Sequence, residues 1–258
     1  MTYRLLMNTN RKRALITGAS SGIGLDLARL FARDGYSVVL VARSEEKLRE
    51  YAREMNGEFI VADLSKPDAP RTIFERVGEI DALVNNAGYG LGGAFAEIDL
   101  QRQLEMIQVN VVALTHLTRL FLPAMIARRR GAILNVASTA AFQAGPLMAV
   151  YYATKAYVLS FSEAIADELR HTGVTVTALC PGPTETGFAA VADVESARLF
   201  KLAKPMSSAA VARAGYDGLR DGKRIVIPGL RNKLMMQSLR ISPRHLVTTV
   251  VRKMQERA

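Results

Sequence analysis

Residues 13–24 read Arg-Ala-Leu-Ile-Thr-Gly-Ala-Ser-Ser-Gly-Ile-Gly, and this stretch decides the fold. Its first five residues predict a buried strand, and its three glycines predict a tight turn into a helix that runs to about Asp34. The spacing is G-x₃-G-x-G. A turn between a strand and a helix lets the backbone approach a pyrophosphate, with the free N–H groups of the helix N-terminus directed at its charge. Dinucleotide binding is therefore favoured over a purely structural turn.

The rest of the chain repeats this alternation of apolar strands and helical patterns. We expect further strands at 36–42, 59–62, 80–84, 132–136, 174–179 and 224–227, and helices at about 44–55, 67–77, 149–171 and 207–220, with two long helices over 100–129. Apolar strands without polar alternation, each separated by a helix, are typical of a parallel sheet covered on both faces. We predict an α/β fold, a doubly wound parallel sheet (Rossmann-type) of seven strands with helices on both faces.

The composition is that of a soluble globular protein, with 258 residues, 49% hydrophobic and 22% charged. A lone cysteine, Cys180, cannot form an intrachain disulfide, and the chain begins without the apolar core of a signal peptide. Its apolar stretches fall short of the roughly 20 residues that span a bilayer. The three histidines lie far apart, so no metal site is expected. These features predict a cytoplasmic protein without an integral membrane segment.

The positive charge lies at the two ends of the chain. Residues 1–13 carry four basic and no acidic side chains, residues 229–258 carry seven basic and one acidic, and the residues between are neutral in sum. We divide the chain into a basic N-terminal tail (1–11), a single Rossmann-type catalytic domain (12–228) and a basic amphipathic C-terminal helical extension (229–258). A neutral body does not favour nucleic acid as a partner, and binding of nucleic acid by the basic ends is kept as an alternative.

The end of the second strand indicates which dinucleotide binds. An NAD site has Asp or Glu there for the ribose 2′-hydroxyl, whereas an NADP site has Arg for the 2′-phosphate. Here the strand is followed by Arg43 and Ser44, with no acid, and Ser44 is also expected to cap the next helix. NADP(H) is therefore preferred over NAD(H).

A tyrosine and a lysine stand four residues apart, at Tyr151 and Lys155, in a predicted helix. Residues i and i+4 share a helix face, so the ammonium group is expected to lower the pKa of the phenol and make it a usable general acid. Ser138, just past the fifth strand, is placed to hydrogen-bond a carbonyl oxygen as charge develops on it.

With these motifs in order, and with Asn85-Asn-Ala-Gly88 and Pro181-Gly182 also present, the sequence resembles the short-chain dehydrogenase/reductase family in its single-domain form, over about 12–228. The resemblance implies that Tyr151 donates a proton, that Ser138 orients the substrate and that Lys155 also holds the nicotinamide ribose. Asn110 would complete a water-linked proton relay. The implied cofactor contacts are Gly18, Ser20, Ser21, Gly22, Ile23, Gly24, Arg43, Ser44, Asp63, Leu64, Asn85, Ala87, Gly88, Tyr151, Lys155, Pro181, Gly182, Thr184 and Thr186. Many relatives carry an aliphatic residue in place of Thr184.

The resulting function is an NADPH-dependent carbonyl reductase that transfers a hydride to a lipophilic ketone or aldehyde, with 3-oxoacyl compounds among the candidates. The substrate pocket is expected between 139–148 and 184–204, with apolar candidates at Ala140, Ala141, Phe142, Pro146, Leu147 and Phe188. An NAD-linked alcohol dehydrogenase and a non-catalytic dinucleotide sensor are the alternatives. The resemblance also implies a homo-oligomer, dimer or tetramer, formed through the two long central helices.

The C-terminal extension carries two apolar stripes at helical spacing. Ser242 and Pro243 predict a helix start, as cap and first helical residue. The stripes consist of Leu230, Leu234, Met235 and Leu239, and of Leu246, Val247, Val250, Val251 and Met254. Docking on the domain or on a second subunit is the favoured interpretation. A border of the substrate pocket that selects an anionic substrate, or contact with a membrane surface, is the alternative.

Overall fold

The central sheet is parallel and has seven strands. In the computed structural model, which describes residues 11–194, 197–198 and 205–256, these strands are β1 (Arg13–Thr17), β2 (Ser37–Ala42), β3 (Glu58–Val61), β4 (Ala82–Asn85), β5 (Gly131–Val136), β6 (Val174–Leu179) and β9 (Ile225–Val226). Their order in the sheet is β3-β2-β1-β4-β5-β6-β9. Two short strands, β7 (Thr184–Glu185) and β8 (Met206–Ser207), pair separately. The predicted α/β class, parallel sheet and strand number are confirmed.

Helices connect the strands and cover both faces of the sheet. They are α1 (Gly22–Arg33), α2 (Glu45–Met55), α3 (Ala69–Val77), α4 (Leu100–Ala127), α5 (Ala149–Glu168), α6 (Phe188–Val191), α7 (Ser208–Arg220), α8 (Leu230–Ser238) and α9 (Arg244–Gln255), with a 3₁₀ turn at Thr139–Phe142. The predicted N-terminal tail lies outside the described residues except for Arg11, as does most of the 195–204 part of the expected substrate pocket.

Successive side chains of each strand point to opposite faces of the sheet and form two apolar layers. On one face, Ile16 and Leu40 lie with Leu27 and Phe31 of α1 and with Val211 of α7. On the other face, Leu15 and Val39 lie with apolar residues of α3, α4 and α5, such as Ile73, Leu117 and Ile165. All of these side chains are at most 9% exposed, so the sheet is buried on both sides and its strands are apolar throughout.

Residues 100–127 form one continuous helix, so the expectation of two helices there is wrong. Gln108–Ala113 is a π-helical segment within this helix, and it contains no proline or glycine that would interrupt the helix. Among the described residues, α4 is the helix long and apolar enough, by length and composition, to cross a membrane. Its residues Phe121 and Met125 pack against the sheet.

Two helix starts also differ from the prediction. Ser44 precedes α2 but makes no side-chain capping hydrogen bond. Helix α9 begins at Arg244, with Pro243 in the N-cap position, because the ψ of Pro243, 129°, is extended rather than helical. The proline therefore stands one residue outside the helix.

Candidate active site

One large cavity lies at the carboxyl ends of the central strands. Its volume is about 820 Å³, and residues that directly follow a strand line it, including Gly18 after β1, Arg43 after β2 and Asn86 after β4. Parallel strands end at the same edge, so residues distant in sequence meet there. The cavity is lined by most of the predicted cofactor residues, namely Gly18, Ser20, Ser21, Gly22, Ile23, Arg43, Ser44, Asp63, Leu64, Ala87, Gly88, Tyr151, Lys155, Pro181, Gly182, Thr184 and Thr186.

The glycine turn forms a cradle that side chains would fill. Gly18 and Gly22 have φ of +66° and +53°, in the left-handed region that glycine adopts without strain. A Cβ on Gly22 would lie 2.9 Å from Cγ2 of Thr186, across the cavity. Ser21 stands at the N-cap of α1 and makes no side-chain capping bond, so the N–H groups of the first turn keep their capacity to bind an anion.

Gly24 and Asn86 support this turn from behind. A Cβ on Gly24 would lie 2.4 Å from the carbonyl oxygen of Gly18, so only glycine allows the helix to pack so closely on the turn. The Asn86 amide donates to the carbonyl oxygens of Thr17 and Gly18, at 2.9 and 3.2 Å. Gly24 thus acts by packing and does not line the cavity, whereas Asn86, which belongs to the predicted Asn85-Asn-Ala-Gly88 motif but was not among the individual contacts, does.

Asn85 lies in the interior instead of the cavity. Its amide nitrogen donates to Asn135 Oδ1 at 2.9 Å and to Thr118 Oγ1 at 3.1 Å. Asn85 is only 3% exposed, and it belongs to a network of buried polar side chains beneath the edge of the sheet. The prediction that Asn85 contacts the cofactor is therefore wrong, since its side chain faces the interior.

Arg43 stands at the end of β2 with its guanidinium free. Among the residues that the structure describes, no partner forms an ion pair or a hydrogen bond with its side chain. Asp63, across the cavity rim, is partly buried, which raises its pKa. The hydrogen bond from the Ser65 N–H (3.0 Å) and the nearby charge of Arg43 outweigh that effect and bring the pKa below its ordinary value.

Tyr151, Lys155 and Ser138 meet at one wall of the cavity. The Lys155 ammonium lies 5.9 Å from the centre of the Tyr151 ring and donates to the carbonyl oxygen of Val136 at 2.8 Å. Ser138 Oγ accepts from the N–H of Ala140 at 3.0 Å and its hydroxyl donates to the carbonyl oxygen of Pro181 at 3.4 Å, and it lies close enough to Tyr151 to lower the pKa of the phenol in part. Both Tyr151 and Lys155 are more than nine-tenths buried.

Burial, rather than the lysine, controls the acidity of the tyrosine. Burial raises the pKa of Tyr151 above its ordinary value, and the hydrogen bond with Ser138 lowers it only in part. The expectation that Lys155 lowers the pKa of this phenol is therefore wrong for this structure. Burial also lowers the pKa of Lys155 to about 8, because a desolvated ammonium loses its charge more easily. The pair thus holds a protonated phenol next to a lysine whose pKa is lowered to about 8.

Asn110 lies behind this wall, in the π-helical segment of α4. Its Oδ1 accepts from the N–H of Tyr89 at 3.1 Å, and its amide donates to the Tyr89 carbonyl and to Thr154 Oγ1, both at 3.0 Å. A Cβ on Gly88 would lie 2.9 Å from Asn110 Oδ1 and 3.4 Å from Lys155 Nζ. Asn110 is thus beside the lysine without lining the cavity.

The substrate end of the cavity is apolar and aromatic. Phe188 lies with its ring centre 5.2 Å from that of Tyr151, and Ala140, Met148 and Val191 extend the lining. Of the predicted apolar candidates, Ala141, Phe142, Pro146 and Leu147 do not line the cavity. Phe142 instead packs against an apolar cluster around Leu159 and Cys180. The irregular segment 139–148 has no periodicity from which the facing residues could be read.

Tyr152 and Gln255 also line the cavity, although neither was among the predicted site residues. Gln255 comes from α9, is 6% exposed and donates to the Tyr152 hydroxyl at 2.8 Å. Val251, one turn earlier, packs on the same cluster as Tyr151. The C-terminal extension therefore docks on the domain, as the favoured interpretation had it, and it borders the cavity, whereas the selection of an anionic substrate stays a prediction.

Other reactive groups lie away from the cavity or are isolated. Burial raises the pKa of the Cys180 thiol to about 12, so it is an inert interior residue. Within the described part of the chain, no three His, Cys, Asp or Glu side chains come together as metal ligands would.

A nicotinamide dinucleotide fits these residues. The uncapped first turn of α1, which follows the glycine turn at the cavity wall, can bind a pyrophosphate, and Arg43, unpaired among the described residues, offers a cation at the end of β2. Tyr151, Ser138 and Lys155 occupy the opposite part of the same cavity. The arrangement can hold a dinucleotide and present a proton donor to a second molecule beside it.

Comparison with known proteins gives a consistent result. Residues 12–196 match the family described as short chain dehydrogenase. The ketoacyl reductase HetN of Nostoc sp. is 35% identical over 248 residues, which are 90% of this chain and 85% of that protein. The short-chain dehydrogenase from Sphingobium yanoikuyae, solved in complex with NADPH, superposes with a TM-score of 0.82 at 31% identity, covering 92% of this chain and 95% of that one. The bulky-bulky ketone specific alcohol dehydrogenase from Comamonas testosteroni gives 0.75 at 31% identity, covering 91% and 96%.

Proposed function

The chain belongs to the short-chain dehydrogenase/reductase family and is an NAD(P)-dependent carbonyl reductase; from this premise we propose that it uses NADPH to reduce a lipophilic ketone or aldehyde, with Tyr151 as the proton donor. The observation that carries the proposal is the meeting of Tyr151, Lys155 and Ser138 on one wall of the cavity that the glycine turn also lines. We further propose a cytoplasmic homo-oligomer.

The residues that would hold the cofactor follow the strand ends. The first turn of α1 binds the pyrophosphate, Arg43 and Ser44 the 2′-phosphate, and Asp63 and Leu64 the adenosine. Lys155 binds the nicotinamide ribose. The carboxamide contacts come from Pro181, Gly182, Thr184 and Thr186. When bound, NADPH supplies the hydride that reduces the carbonyl carbon.

The chain's own residues handle the proton. Ser138 donates a hydrogen bond to the carbonyl oxygen and holds it beside Tyr151. Tyr151 gives its phenolic proton to that oxygen as negative charge develops there. The phenol is protonated at neutral pH and so carries the proton that the reductive direction needs.

The apolar lining supports a lipophilic substrate. Phe188, Met148 and Val191 offer no hydrogen bonds to a sugar, and burial of apolar substrate surface against them is favourable. The name of one relative, a ketoacyl reductase, and that of a structural neighbour specific for bulky ketones agree with this class. We place 3-oxoacyl thioesters and bulky ketones first among the substrates to be tried.

Adjacent tyrosines make the decisive experiment a matched one. Tyr151→Phe is expected to lower kcat for ketone reduction by about 10³-fold, because the proton donor is lost, while NADPH still binds. Tyr152→Phe, one residue away in the same cluster, is expected to change kcat by less than about 10-fold. NADPH binding is followed by its own fluorescence, which the protein, having no tryptophan, barely obscures. Unchanged turnover in Tyr151→Phe would refute the assignment. Absence of NADPH oxidation across a broad ketone panel would favour a non-catalytic sensor.

A further inference from the structure

The C-terminal extension leaves six large apolar side chains in contact with solvent. Leu230, Leu234, Met235, Ile241, Leu246 and Val250 are between 45% and 88% exposed. Single exposed apolar residues are ordinary, but a concentration of six within 21 residues is typical of a surface that meets another apolar phase. We call these six residues the apolar ridge.

Basic side chains stand among the residues of the ridge. Arg231, Lys233, Arg240, Arg244, Arg252 and Lys253 are all exposed. The one acid between 229 and 256, Glu256, lies 3.7 Å from Arg252 at the far end of α9. This part of the chain therefore carries a net charge of +5.

The ridge is not simply a misplaced core face, since both helices already have a docked side. Met236 of α8 is 3% exposed, and Asn232 of the same helix packs so closely on Gly182 that a Cβ there would lie 2.7 Å from its amide nitrogen. Helix α9 is fixed through Val251 and Gln255 to the cluster around Tyr151. The exposed side is thus a second face, and it has no partner within the described chain.

The charge decides between the partners that would cover such a face. A second copy of the same face would bring two surfaces of +5 together without acids to compensate them. A nucleic acid would pair with the basic side chains but leave the leucines in water. An anionic lipid surface satisfies both, because apolar side chains enter the boundary between headgroups and acyl chains while Lys and Arg pair with lipid phosphates.

We propose that the apolar ridge and its basic neighbours on α8 and α9 dock the protein onto an anionic membrane surface without spanning it. The docked helix α9 also supplies Gln255 to the substrate end of the cavity, so docking brings that end of the cavity to the source of lipophilic compounds. The docking itself does not depend on the proposed reaction.

Vesicle sedimentation of the full chain tests the proposal. The bound fraction is expected to be at least 10-fold higher on vesicles that contain phosphatidylglycerol than on pure phosphatidylcholine, and to fall as salt is raised. Equal binding to both kinds of vesicle, or no binding to the anionic ones, would overturn it.

Two double variants with matched controls assign the binding to the ridge. Leu234→Ser/Leu246→Ser and Arg231→Gln/Lys233→Gln are each expected to lower binding about 10-fold, with NADPH binding unchanged as evidence of folding. The controls remove equally exposed side chains elsewhere: Phe95→Ser/Val61→Ser removes two apolar groups, and Arg49→Gln/Arg71→Gln removes the same charge. Both controls are expected to bind like wild type. Wild-type binding by the ridge variants would refute the assignment. The proposal would also be refuted if wild type bound no vesicles and the ridge variants had a lower molar mass than wild type in light scattering. The face would then join two copies of the chain.

Discussion

The side-chain amide of Gln255 donates a hydrogen bond of 2.8 Å to the hydroxyl of Tyr152, the residue next to Tyr151. This bond joins the last helix of the described chain to the helix that carries the proposed proton donor. Both partners are buried and both line the cavity. The C-terminal extension is in this way part of the site.

Removing this bond is expected to weaken the docking of α9. Gln255→Leu leaves the Tyr152 hydroxyl buried without its donor, which costs about 1–3 kcal/mol. We expect a lower midpoint of urea unfolding and a KM raised several-fold, with kcat within about two-fold of wild type, because α9 lines only the substrate end. The double variant Tyr152→Phe/Gln255→Leu, which removes both polar partners, should recover most of the stability. Gln237→Leu, on the exposed side of α8, is the control. A double variant as unstable as the sum of the singles would contradict the argument.

Arg43 is expected to determine the choice of dinucleotide. Arg43→Ala removes the cation at the end of β2 and should raise the KM for NADPH by about 10- to 100-fold while leaving that for NADH nearly unchanged, since a charge-assisted bond to a phosphate contributes about 1.5–3 kcal/mol. Arg49→Ala, whose guanidinium pairs with Glu45 on the outer surface of α2, serves as the control. Steady-state kinetics with the two cofactors side by side measure the effect. Equal changes for NADPH and NADH would show that Arg43 does not read the 2′-phosphate.

The buried Lys155 is expected to lower the free energy of unfolding more at pH 7 than at pH 10. Its pKa is lowered to about 8 by burial, whereas in the unfolded chain it keeps its ordinary value of 10.5. Between these values the unfolded chain binds more protons, so the stability of the wild type rises with pH there. At each pH, the free energy of unfolding of wild type is subtracted from that of Lys155→Met. We expect this difference to fall by about 2 kcal/mol from pH 7 to pH 10, because wild type gains stability over that range.

The measurement for this prediction is urea unfolding of both proteins at several pH values. Tyr151, whose pKa is raised, adds a loss of stability only above about pH 10, where the unfolded phenol ionises. Lys47→Met, an exposed lysine on α2, is the control and should show no trend relative to wild type. A difference between Lys155→Met and wild type that stays constant over this range would refute the assigned cause.

The sequence was sufficient for the sheet and for the edge where the site lies. Apolar runs such as residues 38–41 in β2 have no polar alternation, which indicates that both faces are buried, and Gly18, Arg43 and Asn86 directly follow such runs. The continuous helix α4 was missed because a π-helical segment has no distinct sequence pattern. The apolar pattern over 100–129 was therefore interpreted as two separate helices.

Side-chain direction and burial were the parts that a sequence does not show. Asn85 and Asn86 are neighbours with the same chemistry, yet only Asn86 faces the cavity, because successive residues at a strand end point to opposite sides. The spacing of Tyr151 and Lys155 correctly predicted that they are neighbours. It could not give the sign of the pKa shift, which depends on how deeply both are buried. A polar residue four positions after Val251, on an apolar helix face, was the available signal for Gln255.

The π-helical segment around Asn110 has a consequence for how the chain tolerates change. Such a segment contains one residue more than a regular helix needs, and each residue turns an α-helix by about 100°. Deleting one residue from 108–113 would leave an unbroken α-helix whose two ends keep nearly the same relative orientation, because the wider π-helical turns rotate less per residue. The Asn110 amide would then leave Tyr89 and Thr154, with every other side chain intact. The extra residue therefore determines where the Asn110 side chain lies, without changing how the two parts of the helix face the sheet.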